Sequence, residues 1–162
     1  MKKIHFLAWL MTTLIACTAY AAELQLEVSG KITNYTDQKK KSYLFSEREL
    51  LAMKKYSTRT STNWTKTETF SGFQVSDLLK KVGSNGSKIE IHCLDGYQYT
   101  VPVSDVVRYG LIIAYEREGH RMGVRDLGPM GLIYPKDQYP NELRGPETDA
   151  KSTWHVSKLI IK

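Results

Sequence analysis

The sequence predicts an α+β domain, mostly β, and three observations carry that expectation. Short apolar runs of β-favouring residues recur along the chain, each bounded by glycine, proline or Asx turns. Helical patterning is confined to a few brief segments. No internal repeat or low-complexity stretch breaks the chain, which fits one domain of mixed layers.

The N-terminus reads differently from the rest. Lys2 and Lys3 precede an apolar run over 6–16, and small residues follow, ending in Ala19-Tyr20-Ala21-Ala22. A positive start, a short apolar run and an A-x-A site are the marks of a cleaved export signal. Residues 1–22 are therefore expected to leave, with 23–162 forming a single domain in the periplasm. Leu14-Ile15-Ala16-Cys17 offers an alternative, a lipid anchor on Cys17, but Ala-Tyr-Ala-Ala is the better match to soluble export. No later run is long enough to span a membrane.

Formal charge is +6 over 162 residues, and +4 once Lys2 and Lys3 are removed with the signal. The basic residues are spread out, and Lys39-Lys40-Lys41 reads as a solvated face. Nothing resembles a helix or arm built to read nucleic acid. With Cys17 in the signal, Cys93 stands alone and no disulfide forms within the mature chain. Inside Ile89-Glu90-Ile91-His92-Cys93-Leu94 it is expected to be an inert core thiol.

Taken in order, 23–33 alternates Leu24, Leu26 and Val28 with polar residues, a half-buried strand. Ser46 is placed to cap a helix, with Glu49 as its capping-box partner. The Thr-rich stretch 56–69 suits extended chain. Phe70-Ser71-Gly72-Phe73 is expected to turn into a helix over 74–82, stopped by Gly83. Asn85-Gly86 is a turn, and strands over 88–94 and 97–103 meet at Asp95-Gly96. A short helix starts at Ser104 or Asp105 and ends at Gly110. Leu111-Ile112-Ile113-Ala114-Tyr115 and Met130-Gly131-Leu132-Ile133-Tyr134 are buried strands. Between them the charged stretch 116–129 is either an exposed hairpin end or the wall of a polar pocket. Residues 136–150, stiffened by Pro135, Pro140 and Pro146, read as a loop, and 154–161 as the last strand.

Familiar catalytic signatures are missing. There is no paired His at metal-ligand spacing, no CxxC, no H-E-x-x-H, no G-x-S-x-G and no phosphate loop.

What remains is an ordered series of short motifs: Phe70-Ser71-Gly72-Phe73 with Leu78-Leu79, Asp95-Gly96-Tyr97, Ala114-Tyr115-Glu116 with Gly119, Gly128-Pro129, and Ile133-Tyr134-Pro135. In order and spacing this series resembles the sulfite-oxidase-type molybdopterin-binding domain, over about residues 45–161. The resemblance implies an α+β, mostly β fold that holds a pterin in a polar cleft. In the family's enzymes a cysteine four residues before a tryptophan gives its thiolate to molybdenum. Here the tryptophan is Trp64 and that position is Thr60, whose neutral hydroxyl is a poor substitute for a soft thiolate. The lysine expected near the C-terminal strand is replaced by Ser157 or a neighbour. The chain is most similar to the small PruR-like periplasmic pterin-binding proteins. These bind a free reduced pterin, without metal, and work with the periplasmic domain of an inner-membrane diguanylate cyclase or phosphodiesterase.

A pterin is flat, and its 2-amino group and N3–H donate side by side, which suits one carboxylate; O4 suits an arginine or a backbone N–H. Its faces call for aromatic contact. On that basis the resemblance implies a pterin site made from Arg59, Ser61, Trp64, Asp95, Tyr97, Tyr115, Arg117, Asp126 and Trp154, with no catalytic residue. Two alternatives stand beside this sensor. One is an oxidoreductase holding the molybdenum cofactor through an unusual ligand set. The other is an interaction domain without a ligand, which an outward-facing Arg59, Trp64 and Asp126 would favour.

Overall fold

The computed structural model describes residues 23–162; the export signal expected over 1–22 lies outside the described residues. In chain order the elements are β1 (Leu26–Gly30), β2 (Ser42–Phe45), α1 (Glu47–Ala52), β3 (Lys55–Thr60), β4 (Glu68–Gln74), α2 (Val75–Lys81), β5 (Lys88–Cys93), β6 (Gln98–Pro102), α3 (Val103–Tyr109), β7 (Ile112–Arg117), β8 (His120–Arg121), β9 (Gly131–Ile133), a 3-10 turn (Lys136–Gln138), α4 (Gly145–Lys151) and β10 (Val156–Ile161). This is the α+β, mostly β architecture expected from the sequence.

Two sheets organise these elements. One runs β2-β1-β10-β5-β6; the other runs β3-β4-β7-β8, with β9 also paired to β7. Every pairing is antiparallel except β1 with β10, where Glu27 lies opposite Lys158 and Gly30 opposite Ile161. The period-2 pattern explains the layers. Leu26, Val28, Ile89, Ile91, Val156 and Leu159 from the first sheet meet Phe73, Ile113, Tyr115 and Leu132 from the second in one core. The unbroken apolar run of β7 has its own reason: Ile113 and Tyr115 face that core, while Ile112 and Ala114 face a second cluster with Phe70, Met122, Ile133 and Trp154. A strand covered on both faces reads as continuous apolar sequence.

The capping box at α1 forms as expected. The Glu49 N–H donates to Ser46 Oγ (3.4 Å) while the Glu49 carboxylate accepts the Ser46 N–H (3.2 Å). Gly83 and Gly110 take positive φ just after α2 and α3. Two expectations need correction. Phe70-Ser71-Gly72-Phe73 is not a turn but the middle of β4, and α2 begins only at Val75. Residues 136–150 are not all loop, because Gly145-Pro146 opens α4, with proline where a helix tolerates it. Among the described residues no helix is long and apolar enough to cross a membrane.

Gly72 is fixed by close approach. A Cβ there would lie 1.9 Å from the Ile113 carbonyl oxygen on β7, beside the irregular register between Ser71 and Gly72. Gly72→Ala should lower unfolding free energy by about 3 kcal/mol in urea titration, the upper end of overpacking costs. Gly96→Ala, where φ is +86° but space is open, should cost only about 1 kcal/mol, that of a left-handed residue.

Candidate functional site

A cleft of about 380 Å³ opens where the two sheets part. Its lining comes from four places: Asn63 and Trp64 on the loop after β3, Asp95 and Tyr97 at the β5–β6 turn, Leu127 before β9, and the end of α4 with the segment that follows it, Asp149, Ala150 and Ser152 to His155.

Each wall has a local cause. The 61–67 loop is stapled by Asp137, which accepts from the Ser61 N–H (3.1 Å), Ser61 Oγ (2.7 Å) and Thr67 Oγ1 (2.8 Å). Thr62 Oγ1 accepts from the N–H groups of Trp64 (3.1 Å) and Thr65 (3.0 Å). The loop is thus ordered, yet Trp64 remains 67% exposed at the edge of the cleft. At the hairpin, Asp95 Oδ1 accepts the Tyr97 N–H (3.0 Å), and the Tyr97 hydroxyl donates to the Ala150 carbonyl (3.2 Å), tying the turn to α4. Asp95 therefore serves its turn and lines the cleft as well.

The floor is the least satisfied part. Ser152 Oγ, Thr153 Oγ1 and Trp154 Nε1 are buried without hydrogen-bond partners, on three consecutive residues of one wall. An unpaired buried polar group costs about 1–3 kcal/mol. A fourth such atom, Glu68 Oε2, lies apart from the cleft lining, 3.5 Å from Arg117 Nε. The Trp154 indole packs on Phe70, with ring centroids 5.9 Å apart, and covers Gly131, where an added Cβ would meet the indole at 2.7 Å. His155 has φ +58° and Leu127 φ +60°, two left-handed non-glycine residues facing one cleft. Such strain persists where surrounding contacts over-determine it. His155 Nδ1 is bonded to the Gly128 carbonyl, which can only accept, so in the neutral ring Nδ1 carries the proton and Nε2 is left as an acceptor.

The family described as "Oxidoreductase molybdopterin binding domain" matches residues 21–138. This chain belongs to that family. No curated protein matches. Among solved structures, the sulfane dehydrogenase SoxCD from Paracoccus pantotrophus is similar over 85% of this chain at 15% identity, with a TM-score of 0.64. The match takes up 37% of the SoxCD chain, so this chain spans little more than a third of it, and the likeness is one of fold. The family match ends before the 149–155 wall that carries the unpaired atoms.

The family binds molybdopterin, and the residues here suit a pterin better than its metal. Thr60 is fully buried; its hydroxyl accepts the Asp137 N–H (3.2 Å) and donates to the Ser61 carbonyl (3.3 Å). It is a neutral group already committed to the backbone, so no thiolate comes from that position. Burial pushes the Cys93 thiol up to about 11, the Asp95 charge adds to this, and the nearby Thr153 hydroxyl counters it only in part, without forming a hydrogen bond of normal geometry. At neutral pH Cys93 stays protonated and is a poor ligand, in agreement with its reading as a core residue. Among the described residues no group of three or more His, Cys, Asp or Glu is placed to hold a metal ion.

Of the nine residues expected at the site, the cleft gathers Trp64, Asp95, Tyr97 and Trp154. The other five face elsewhere, each for a stated reason. Arg59 is exposed and lies 3.9 Å from Glu118. Ser61 is used by Asp137. Tyr115 is core, stacked on Phe73 at 6.3 Å. Arg117 binds Asp126 through Nη2 (2.8 and 3.1 Å), so both are spent on one ion pair that holds the loop leading to Leu127. The charged stretch 116–129 is therefore mainly an exposed hairpin end, with one ion pair of its own and others to Glu47, Lys55, Arg59 and Glu68. Arg59, Trp64 and Asp126 are all exposed, as an interaction domain would have them, although Trp64 also borders the cleft. Sequence reasoning missed Asn63, Leu127, Asp149, Ala150, Ser152 and Thr153, and left His155 outside the set. The available signal was a polar Ser152-Thr153 pair immediately before an aromatic residue at the start of a buried strand.

Burial opposes ionisation of Asp137, but hydrogen bonds from Ser61 and Thr67 outweigh it and hold the carboxyl below its ordinary value. The staple is then fully present above the unfolded pKa of about 3.9 and is lost as pH falls through the lower folded value. In a Trp154→Phe background, Trp64 emission should stay constant down to about pH 4.5 and shift only below that. Asp137→Ala should show the shifted emission already at pH 7.

Proposed function

We propose that this chain is an exported, non-catalytic pterin-binding protein. Its loaded state is read by the periplasmic domain of an inner-membrane enzyme that makes or degrades cyclic di-GMP. The observation that carries the binding reading is that three consecutive residues lining an aromatic-edged cleft, Ser152, Thr153 and Trp154, each keep a buried polar atom that has no hydrogen-bond partner among the described residues. The indole N–H can only donate, and the hydroxyls can donate or accept, which suits the O4 and ring-nitrogen edge of a pterin. Asp95, with one oxygen outside its turn bond, is the carboxylate for the 2-amino and N3–H pair. Trp64, Tyr97 and Trp154 supply apolar faces. The export signal read in residues 1–22 supports the location, and resemblance to small exported pterin-binding proteins supports the partner. Thr60 supports a role without molybdenum chemistry, and no step is assigned to the metal.

Family membership and the fold shared with a dehydrogenase favour a second reading, an oxidoreductase. It requires a metal ligand from outside the Thr60 position.

Titration calorimetry with reduced neopterin tests the binding claim. A micromolar dissociation constant, about 8 kcal/mol, is expected. Trp154→Phe keeps the ring and removes the donor, and should weaken binding about tenfold. Asp95→Asn should weaken it about 10- to 100-fold, the range for a charge-assisted bond. Unchanged affinity in both variants would remove the pterin from this cleft. A pull-down of the receptor's periplasmic domain with and without reduced neopterin tests the relay; capture indifferent to the ligand would contradict it.

A further inference from the structure

We infer that the cleft selects pterins that carry no phosphate, so that molybdopterin itself, whose side chain ends in a phosphate, is excluded. This rests on the pterin reading above and concerns the chemical class of the ligand. Among the described residues, no lysine or arginine lines the cleft, while two carboxylates, Asp95 and Asp149, do. Lys136 is bonded to Asp149, so a phosphate could use it only by displacing that carboxylate. Among the described residues Asp95 has no cationic partner, and its Oδ1 accepts only the Tyr97 N–H. In its neutral form His155, with the Nδ1 proton committed to the Gly128 carbonyl, presents an acceptor rather than a second donor.

The donors of the floor are neutral, and a phosphate dianion needs cations or several convergent N–H groups to replace its water. The cleft is about 380 Å³, small enough that a dianion anywhere in it lies within one Debye length, about 8 Å, of a carboxylate. Arg117 and Arg59, on strands bordering the cleft loops, face Asp126, Glu68 and Glu118. A pterin phosphate ester would therefore have to pass through phosphomonoester hydrolysis before this chain could take it.

The test compares neopterin with neopterin monophosphate by calorimetry, both in the reduced form, on the full mature chain. The ester should bind at least about 30-fold more weakly at physiological salt, and the gap should narrow between about 0.05 and 0.5 M salt. The gap should also narrow in Asp95→Asn, whatever that variant does to neopterin itself, because the ratio reports the charge. Equal or tighter binding of the ester overturns phosphate exclusion and leaves the pterin reading standing. A gap that neither salt nor Asp95→Asn narrows overturns the electrostatic basis. Binding of neither ligand overturns both readings together.

Discussion

The segment leading into β10 is held by both sheets at once, and the cleft depends on that. The Thr153 carbonyl accepts the Leu132 N–H of β9 (2.8 Å), the His155 carbonyl accepts the Leu94 N–H at the end of β5 (2.8 Å), and the Val156 N–H donates to the Met130 carbonyl (3.0 Å). These bonds set Trp154 on the bare backbone of Gly131 and turn His155 into a left-handed conformation. The same bonds leave no backbone partner for the side chains of Ser152, Thr153 and Trp154. On the pterin reading proposed above, a hydrogen-bonded backbone with unpaired side chains on one wall would be a site prepared before its ligand arrives, which limits the ordering cost of binding.

Against that prepared wall, the absence of a ligating side chain at Thr60 is a chemical difference rather than a structural defect. The hydroxyl completes a hydrogen-bonded corner with Ser61 and Asp137, the residue that also staples the Trp64 loop. One corner thus makes Thr60, which the resemblance sets at the metal-ligand position, a support for an aromatic edge. Cys93 is the only thiol among the described residues, and burial pushes its ionisation up to about 11. The charge pattern points the same way: Arg117 is paired on the hairpin end and Lys151 on α4, while of the cleft's two carboxylates Asp149 is paired with Lys136 and Asp95 has no ion-pair partner among the described residues.

Much of this fold was legible because local chemistry and tertiary role agree. Ser46 and Glu49 form the cap that their spacing promises, Asp95-Gly96 turns the hairpin, and Leu111 to Tyr115 are buried as an unbroken apolar run requires. Legibility failed where a tertiary contact gave a residue a second meaning. Gly72 looks like a turn but is a glycine because β7 passes too close for a Cβ. Gly145-Pro146 looks like loop but opens α4. At the site, Trp64 was readable as an aromatic residue that its polar neighbours do not explain, whereas Asp95, Tyr97 and Trp154 were singled out by the resemblance. The pairing of Arg117 with Asp126 was not readable, since nine positions of sequence do not reveal that they bond each other. Ser152 and Thr153 are ordinary in sequence; only their burial without partners marks them.

The central claim is that a molybdopterin-type cleft here holds a pterin without molybdenum. It is tested most directly on protein purified from the periplasm, by metal analysis alongside extraction and fluorescence detection of bound pterin. Close to one pterin per chain with no molybdenum is the predicted result. Stoichiometric molybdenum would contradict the account of Thr60 and make the chain an oxidoreductase.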